Sequence, residues 1–250
     1  MAQNPWDIKT NDERPSETIN VFIIFCEDAV SEPEYFRSFQ TDKLKVNPIG
    51  NARWGKLNLY ETIKQCLADG LMEFKADAYR IKEGVTDNIW CVYDRDANNK
   101  DLDLVTEEKK IPWSVSIQTA TETGLNIAWS NDAFELWILL HFEDIEPGKP
   151  VHRDYIYQRL TEIFKIIQPR SPELDELTGN PQFYYKYGFK RLKYFADHVL
   201  SKMKPLTPVA IERAEKLAAY YQNDIPFHER NPCTMVHLLV KELMANDGVA

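Results

Sequence analysis

Apolar residues in the first 150 positions fall into short continuous runs separated by polar, helix-patterned stretches. Val21-Phe22-Ile23-Ile24-Phe25-Cys26 and Ile89-Trp90-Cys91-Val92-Tyr93 are β-rich and apolar throughout, the pattern of strands buried on both faces. After the first run, Ser31 reads as the cap of a helix from Glu32 to Gln40, with Pro33 tolerated in the first turn. Lys43 to Ile49 gives a short second strand. Beyond the turn region Gly50 to Gly55, positions Leu57, Leu59, Tyr60, Ile63 and Leu67 recur at helical spacing. The charged stretch Asp101 to Lys110 reads as a short helix closed by Pro112, and Trp113 to Ile117 and Leu125 to Trp129 as further strands. Phe134 to Phe142 is an apolar helix, capped by Ser130 or Asn131. This alternation predicts an α/β fold: a mostly parallel sheet flanked by helices.

Past Gly148 the pattern turns helical, with periodic segments at Tyr155 to Ile167, Phe189 to Met203, Pro208 to Gln222 and Thr234 to Met244. No strand is expected there, and Pro169 to Pro181 reads as a polar, mobile connection. The chain divides on this reading into a flexible N-terminal arm (1–19), an α/β core (20–148) and a C-terminal helical region packed on or beside it (149–250).

With 250 residues and 44% hydrophobic content the chain is long and apolar enough for a sizeable core, which excludes a disordered protein. No apolar stretch approaches the roughly 20 residues of a membrane span, and Met1 to Pro5 lacks a basic segment followed by an apolar one, so a cytoplasmic protein without a membrane partner is expected. Cys26, Cys66, Cys91 and Cys233 are scattered through apolar patterns, as reduced, buried thiols are. The net charge of −9 argues against non-specific coating of nucleic acid by a broad basic surface. It leaves a nuclease open, with local basic stretches at Arg153 to Lys165 and Lys186 to Lys204.

The candidate chemistry follows the two apolar runs. Glu27 comes after the first, Asp94 and Asp96 after the second, and parallel sheets bind ligands beyond the carboxyl ends of their strands. Hard oxygens with no paired Cys or His suit magnesium or manganese better than zinc. Asp94 and Asp96, two apart on an extended segment, face one way, while Arg95 points away or meets a phosphate. An ion held there would stabilise charge on phosphoryl oxygens and lower the pKa of an attacking water. Glu135, at the start of an apolar helix, is a fourth acidic candidate, because a buried charge is costly unless paired or metal-bound; the alternative is a carboxylate favoured by the helix dipole. Glu32 reads equally as a cap and as a site residue, and His141 as a core residue. Lys186 and Arg191, with Tyr185, are placed to meet a nucleic-acid backbone, though Phe183-Tyr184-Tyr185 is equally explained by packing.

Four segments resemble the RloB family. They are Phe25-Cys26-Glu27-Asp28-Ala29-Val30-Ser31-Glu32-Pro33-Glu34-Tyr35-Phe36, then Asp87 to Asp96, then Ala128 to Glu143, which holds Ser130-Asn131-Asp132-Ala133-Phe134-Glu135-Leu136-Trp137, and finally Asn231 to His237, which opens with Asn231-Pro232-Cys233-Thr234. The third is the most specific, and the resemblance spans about residues 19 to 245. It implies a Toprim-like core, a nuclease of bacterial anti-phage defence acting in abortive infection, and magnesium or manganese at Asp94 and Asp96, with Glu27 at the metal or acting as general base. Glu135 would join the catalytic set, and Ser130 and Asn131 would lie near the substrate. By the same analogy the substrate is nucleic acid, with RNA such as tRNA favoured over DNA, and an ABC-type ATPase is the expected partner; self-association is left open. The chain departs from the family pattern at Asp28 (Gly), Val30 (Thr), Ser31 (Glu) and Asp132 (Pro). Asp28 either adds a ligand or repels a phosphate, and it lacks the conformational freedom of glycine. Two other readings stand beside the nuclease: a non-catalytic Toprim-like interaction subunit that docks on the ATPase and senses phage, and a metal-dependent phosphotransferase or phosphatase acting on small molecules.

Overall fold

The two apolar runs are neighbouring strands at the centre of a five-stranded sheet. A computed structural model describes residues 19–50, 59–85, 88–95, 107–189 and 191–246. In chain order they form β1 (Asn20–Phe25), α1 (Ser31–Arg37), β2 (Leu44–Ile49), α2 (Leu59–Ala68), β3 (Met72–Lys75), β4 (Ala78–Ile81), β5 (Asn88–Asp94), α3 (Glu107–Glu122), β6 (Asn126–Asn131) and α4 (Glu135–Phe142). Then come α5 (Arg153–Ile166), α6 (Pro172–Gly179), α7 (Tyr185–Gly188) and α8 (Leu192–Tyr194). A π-helical stretch (Phe195–Leu200), α9 (Ser201–Met203) and a 3-10 turn (Lys204–Leu206) lead into α10 (Thr207–Tyr220), followed by β7 (Cys233–Thr234) and α11 (Val236–Asn246).

The sheet order is β2-β1-β5-β6-β7. The first four strands are parallel, and β7 pairs antiparallel with β6 through Ser130↔Thr234 and Asn131↔Cys233. Alternate residues of each central strand enter opposite layers. Phe22, Ile24, Trp90, Val92 and Ala128 join a core shared with α1, α4, α5, α10 and α11. Phe25, Ile89, Cys91 and Trp129 join a second core with α2 and α3. Covering both faces explains why the runs Val21 to Cys26 and Ile89 to Tyr93 are apolar at every position. The α/β architecture expected from the sequence is therefore the one formed. All four cysteines are free and buried, and no helix among the described residues is long and apolar enough to cross a membrane.

Several local expectations need correction. Trp113 to Ile117 is not a strand but lies within α3, where Trp113, Ile117 and Ala120 are buried at helical spacing and Val115 is 52% exposed. A strand would have put Val115 on the same face as its two apolar neighbours. The sequence also showed no sign of β3 and β4, a hairpin whose two-residue turn, Ala76-Asp77, has positive φ at both positions (52° and 59°). Pro169 to Pro181 is not a bare connection: α6 starts at Pro172, and the Ser171 hydroxyl accepts from the Leu174 amide at 3.2 Å. The C-terminal region is not wholly helical, since β7 adds a strand to the sheet. The expected N-terminal arm, the turn from 51 to 55, residues 101–106 and Asp96 lie outside the described residues, apart from Ile19, which is exposed.

Candidate active site

In this strand order β1 leads to β2 on one side, and the chain returns to β5 on the other, so connections diverge between β1 and β5. Open α/β sheets bind ligands at the carboxyl edge of such a divergence. Glu27 stands two residues past β1, and Asp94 is the last residue of β5. The Asp94 amide donates to Glu27 Oε2 at 2.8 Å, and the Phe134 amide donates to Asp94 Oδ2 at 2.8 Å. These two carboxylates thus tie β1, β5 and the entry to α4 together.

Around them lies a cleft of about 420 Å³, with Glu27, Asp28, Glu32, Asp94 and Glu135 along the sheet edge and Arg153, Tyr157, Tyr185 and Lys186 from the helical region facing them. Glu32 is 1% exposed. Its Oε2 accepts from the Glu27 and Asp28 amides at 2.6 and 3.3 Å. Burial raises its pKa well above the ordinary carboxyl range, and repulsion from Asp28, Asp94 and Glu27 adds to the shift. Glu135 opens α4 and is pushed up to about 7, mainly by burial and then by Asp28; the neighbouring Tyr157 side chain and Arg153 oppose the shift. The Glu135 carboxyl thus exchanges a proton near neutrality.

Asp28 also has a structural role beside the two expected of it. Its Oδ1 accepts from the Val30 and Glu32 amides (2.8 and 3.2 Å) and its Oδ2 from the Ser31 amide (3.1 Å). It, rather than Ser31, satisfies the open amides at the start of α1. Left-handed backbone at non-glycine residues is confined, among the described residues, to Ala76 and Asp77, so the turn at Asp28 does not require glycine.

Ser130 and Asn131 do not cap α4. Both are in β6 and fully buried. The Ser130 hydroxyl meets Thr234 Oγ1 at 3.0 Å. Asn131 Nδ2 donates to the carbonyls of His228 and Arg230 (3.1 and 2.9 Å), and its Oδ1 accepts from Arg95 Nη1 at 3.0 Å. Arg95 also donates to the His228 carbonyl at 3.0 Å, so its guanidinium braces the loop before β7. Arg95, Ser130 and Asn131 are not among the residues lining the cleft, whereas Lys186 is. Arg191 is exposed, with its guanidinium over the Tyr194 ring at 5.8 Å. His141 is a core residue: its Nδ1 bonds the Trp137 carbonyl at 2.9 Å, and burial lowers its pKa to about 4.

Arg153 stood in the sequence only at the head of a basic stretch, and Tyr157 had no mark there. They sit one turn apart on α5, and only the docking of that helix against the sheet edge brings them to Glu135. Asp132, fully buried, grips Arg153 with both oxygens, to Nε and Nη2 at 3.0 Å each. Among the described residues, no group of three or more His, Cys, Asp and Glu side chains is placed to hold a metal ion. The donors present fit a hard cation in kind, being carboxylate oxygens from adjacent strand ends, but they do not close a three-ligand set. Asp96, the third expected ligand, lies outside the described residues.

Fold and site together define an α/β protein with an acidic cleft where its strand connections diverge. The model of the RloB-like protein family matches residues 22–243, and the chain belongs to that family. No curated protein and no solved structure matches it.

Proposed function

We propose that the chain is a Toprim-like, magnesium- or manganese-dependent endonuclease of cytoplasmic anti-phage defence, hydrolysing phosphodiester bonds, with RNA such as tRNA favoured over DNA. The observation that carries this reading is the meeting of Glu27, Asp94 and Glu135 in one cleft at the divergence between β1 and β5. Glu27 and Asp94, with Asp96, would hold the ion, which would supply charge stabilisation at the phosphoryl oxygens and an activated water. Glu135 would hold a proton at its carboxyl near neutral pH and pass it to the departing oxygen, with Tyr157 orienting it. The ABC-type ATPase expected by analogy would restrain the enzyme or deliver its substrate.

The test is incubation of the full chain with total tRNA, messenger RNA and plasmid DNA in magnesium or manganese, with and without a partner ATPase, beside a Glu27→Ala/Asp94→Ala variant. Cleavage of RNA by the parent alone is expected; intact nucleic acid in every arm contradicts the reading. The non-catalytic interaction subunit remains the second reading, favoured by the unclosed ligand set among the described residues. It predicts that the same variant keeps both partner binding and defence.

A further inference from the structure

The acidic edge of the cleft accounts for metal chemistry but not for how a polyanion approaches five carboxylates. We propose that Arg153 and Tyr185, on the opposite wall, bind the backbone phosphate of a nucleic-acid strand, with Asp132 as the residue that positions Arg153. This rests on the nucleic-acid reading above and names the side chains that would hold the strand.

Three observations carry it. Arg153 and Lys186 are the cations among the residues lining the cleft, and both come from the helical region rather than the sheet. The Arg153 guanidinium is fixed through two bonds to a carboxylate with no exposure, while its own side chain keeps 16% exposure. A guanidinium pre-oriented in this way loses little freedom on gripping a second anion, and its planar fork suits phosphate oxygens. Finally, Tyr185 is 4% exposed and lines the cleft, yet its hydroxyl has no hydrogen-bond partner among the described residues. That hydroxyl lies within the field of Glu135 and Asp28, which line the same cavity. Buried hydroxyls in folded proteins nearly always have a partner, and a ligand oxygen in the cleft would supply it. Packing alone would be served as well by phenylalanine.

The test is binding of a short labelled single-stranded RNA to the full chain in EDTA, followed by anisotropy over a range of salt. Tyr185→Phe is expected to weaken binding about tenfold while its thermal midpoint stays at or above that of the parent. Arg153→Met combined with Asp132→Asn, which avoids leaving a buried charge alone, is expected to weaken binding at least as much. It should also reduce the slope of log affinity against log salt by about 0.7, one phosphate contact on a single strand. Asp132→Asn alone keeps the cation and loosens its hold, so affinity falls with the slope unchanged. Parent-like affinity and slope in Tyr185→Phe and in the double variant overturn the proposal, as does failure of the parent to bind. If the parent binds RNA that it never cuts in manganese and the variants bind more weakly, the phosphate wall stands and the nuclease reading falls. If it cuts RNA and the variants bind as it does, the reverse holds.

Discussion

A single carboxylate at Asp28 takes three backbone amides that the start of α1 leaves open, and this separates a structural role from a ligand role. Asp28→Ala is expected to cost about 1–2 kcal/mol, read from the urea midpoint, whereas Asp28→Asn should cost less, because its one oxygen can still accept from the Val30 and Glu32 amides while its NH2 group cannot accept from Ser31. If Asp28 were instead a metal ligand, Asn would be as damaging to ion binding as Ala. Glu135 gives a second residue-scale prediction. Its folded-state pKa, about 7, lies above the ordinary carboxyl value of 4.5. The folded protein therefore keeps a proton that the unfolded chain releases between those values. The contribution is fully favourable on the acid side and is lost as pH rises through that window. Thermal midpoints from about pH 5 to about pH 8 should fall for the parent relative to Glu135→Gln, with about 2–4 °C for each kcal/mol in a chain of this size. Parallel curves for the two proteins would contradict the assignment. Glu27 and Asp94 were legible in the sequence because each follows an apolar run that fixes where it emerges, and Glu135 because it opens an apolar helix. Glu32 was only half legible, since a first-turn carboxylate looks the same whether it bonds its own helix or, as here, the amides of Glu27 and Asp28.

Among the elements, β1 and β5 were readable because both of their faces are buried and the apolar run has no gaps, whereas β6 ends in the buried polar pair Ser130-Asn131, which reads as a helix cap. The segment 113–117 misled because Trp-Ser-Val-Ser-Ile alternates with period two, while its burial follows 113, 117 and 120. Periodicity over five residues does not separate strand from helix, and the deciding position is Val115. Ile117→Ala is expected to destabilise by about 2–4 kcal/mol, and Val115→Ala to stay within about 0.5 kcal/mol, in denaturant unfolding. Equal losses at both positions would restore the strand. The β3–β4 hairpin was invisible for a related reason: its Ala76-Asp77 turn lacks the glycine that usually marks such turns. β7 is two residues long, too short to leave any alternation, and it is defined by its partner β6.

At the scale of the whole molecule, the sheet edge supplies acids and the helical region supplies Arg153, Tyr185 and Lys186, so the cleft exists only where the two halves of the sequence meet. That is why its sheet side could be read from local runs and its helical side could not: the positions of α5 and α7 depend on long-range packing through Phe164, Tyr185 and Phe189. The overall charge of −9 also acquires a place, since part of it is gathered at one edge where burial and mutual repulsion raise Glu32 and Glu135. A divalent cation at that edge would relieve the repulsion and stabilise the fold, so chelation should lower the thermal midpoint of metal-loaded protein. The most direct measurement is a calorimetric titration of manganese into the full chain and into a Glu27→Gln/Asp94→Asn variant, which keeps both hydrogen-bond acceptors. Saturable binding by the parent that disappears in the variant is the expected result; the same isotherm in both proteins, or no binding by the parent, would contradict a metal-dependent site at this cleft.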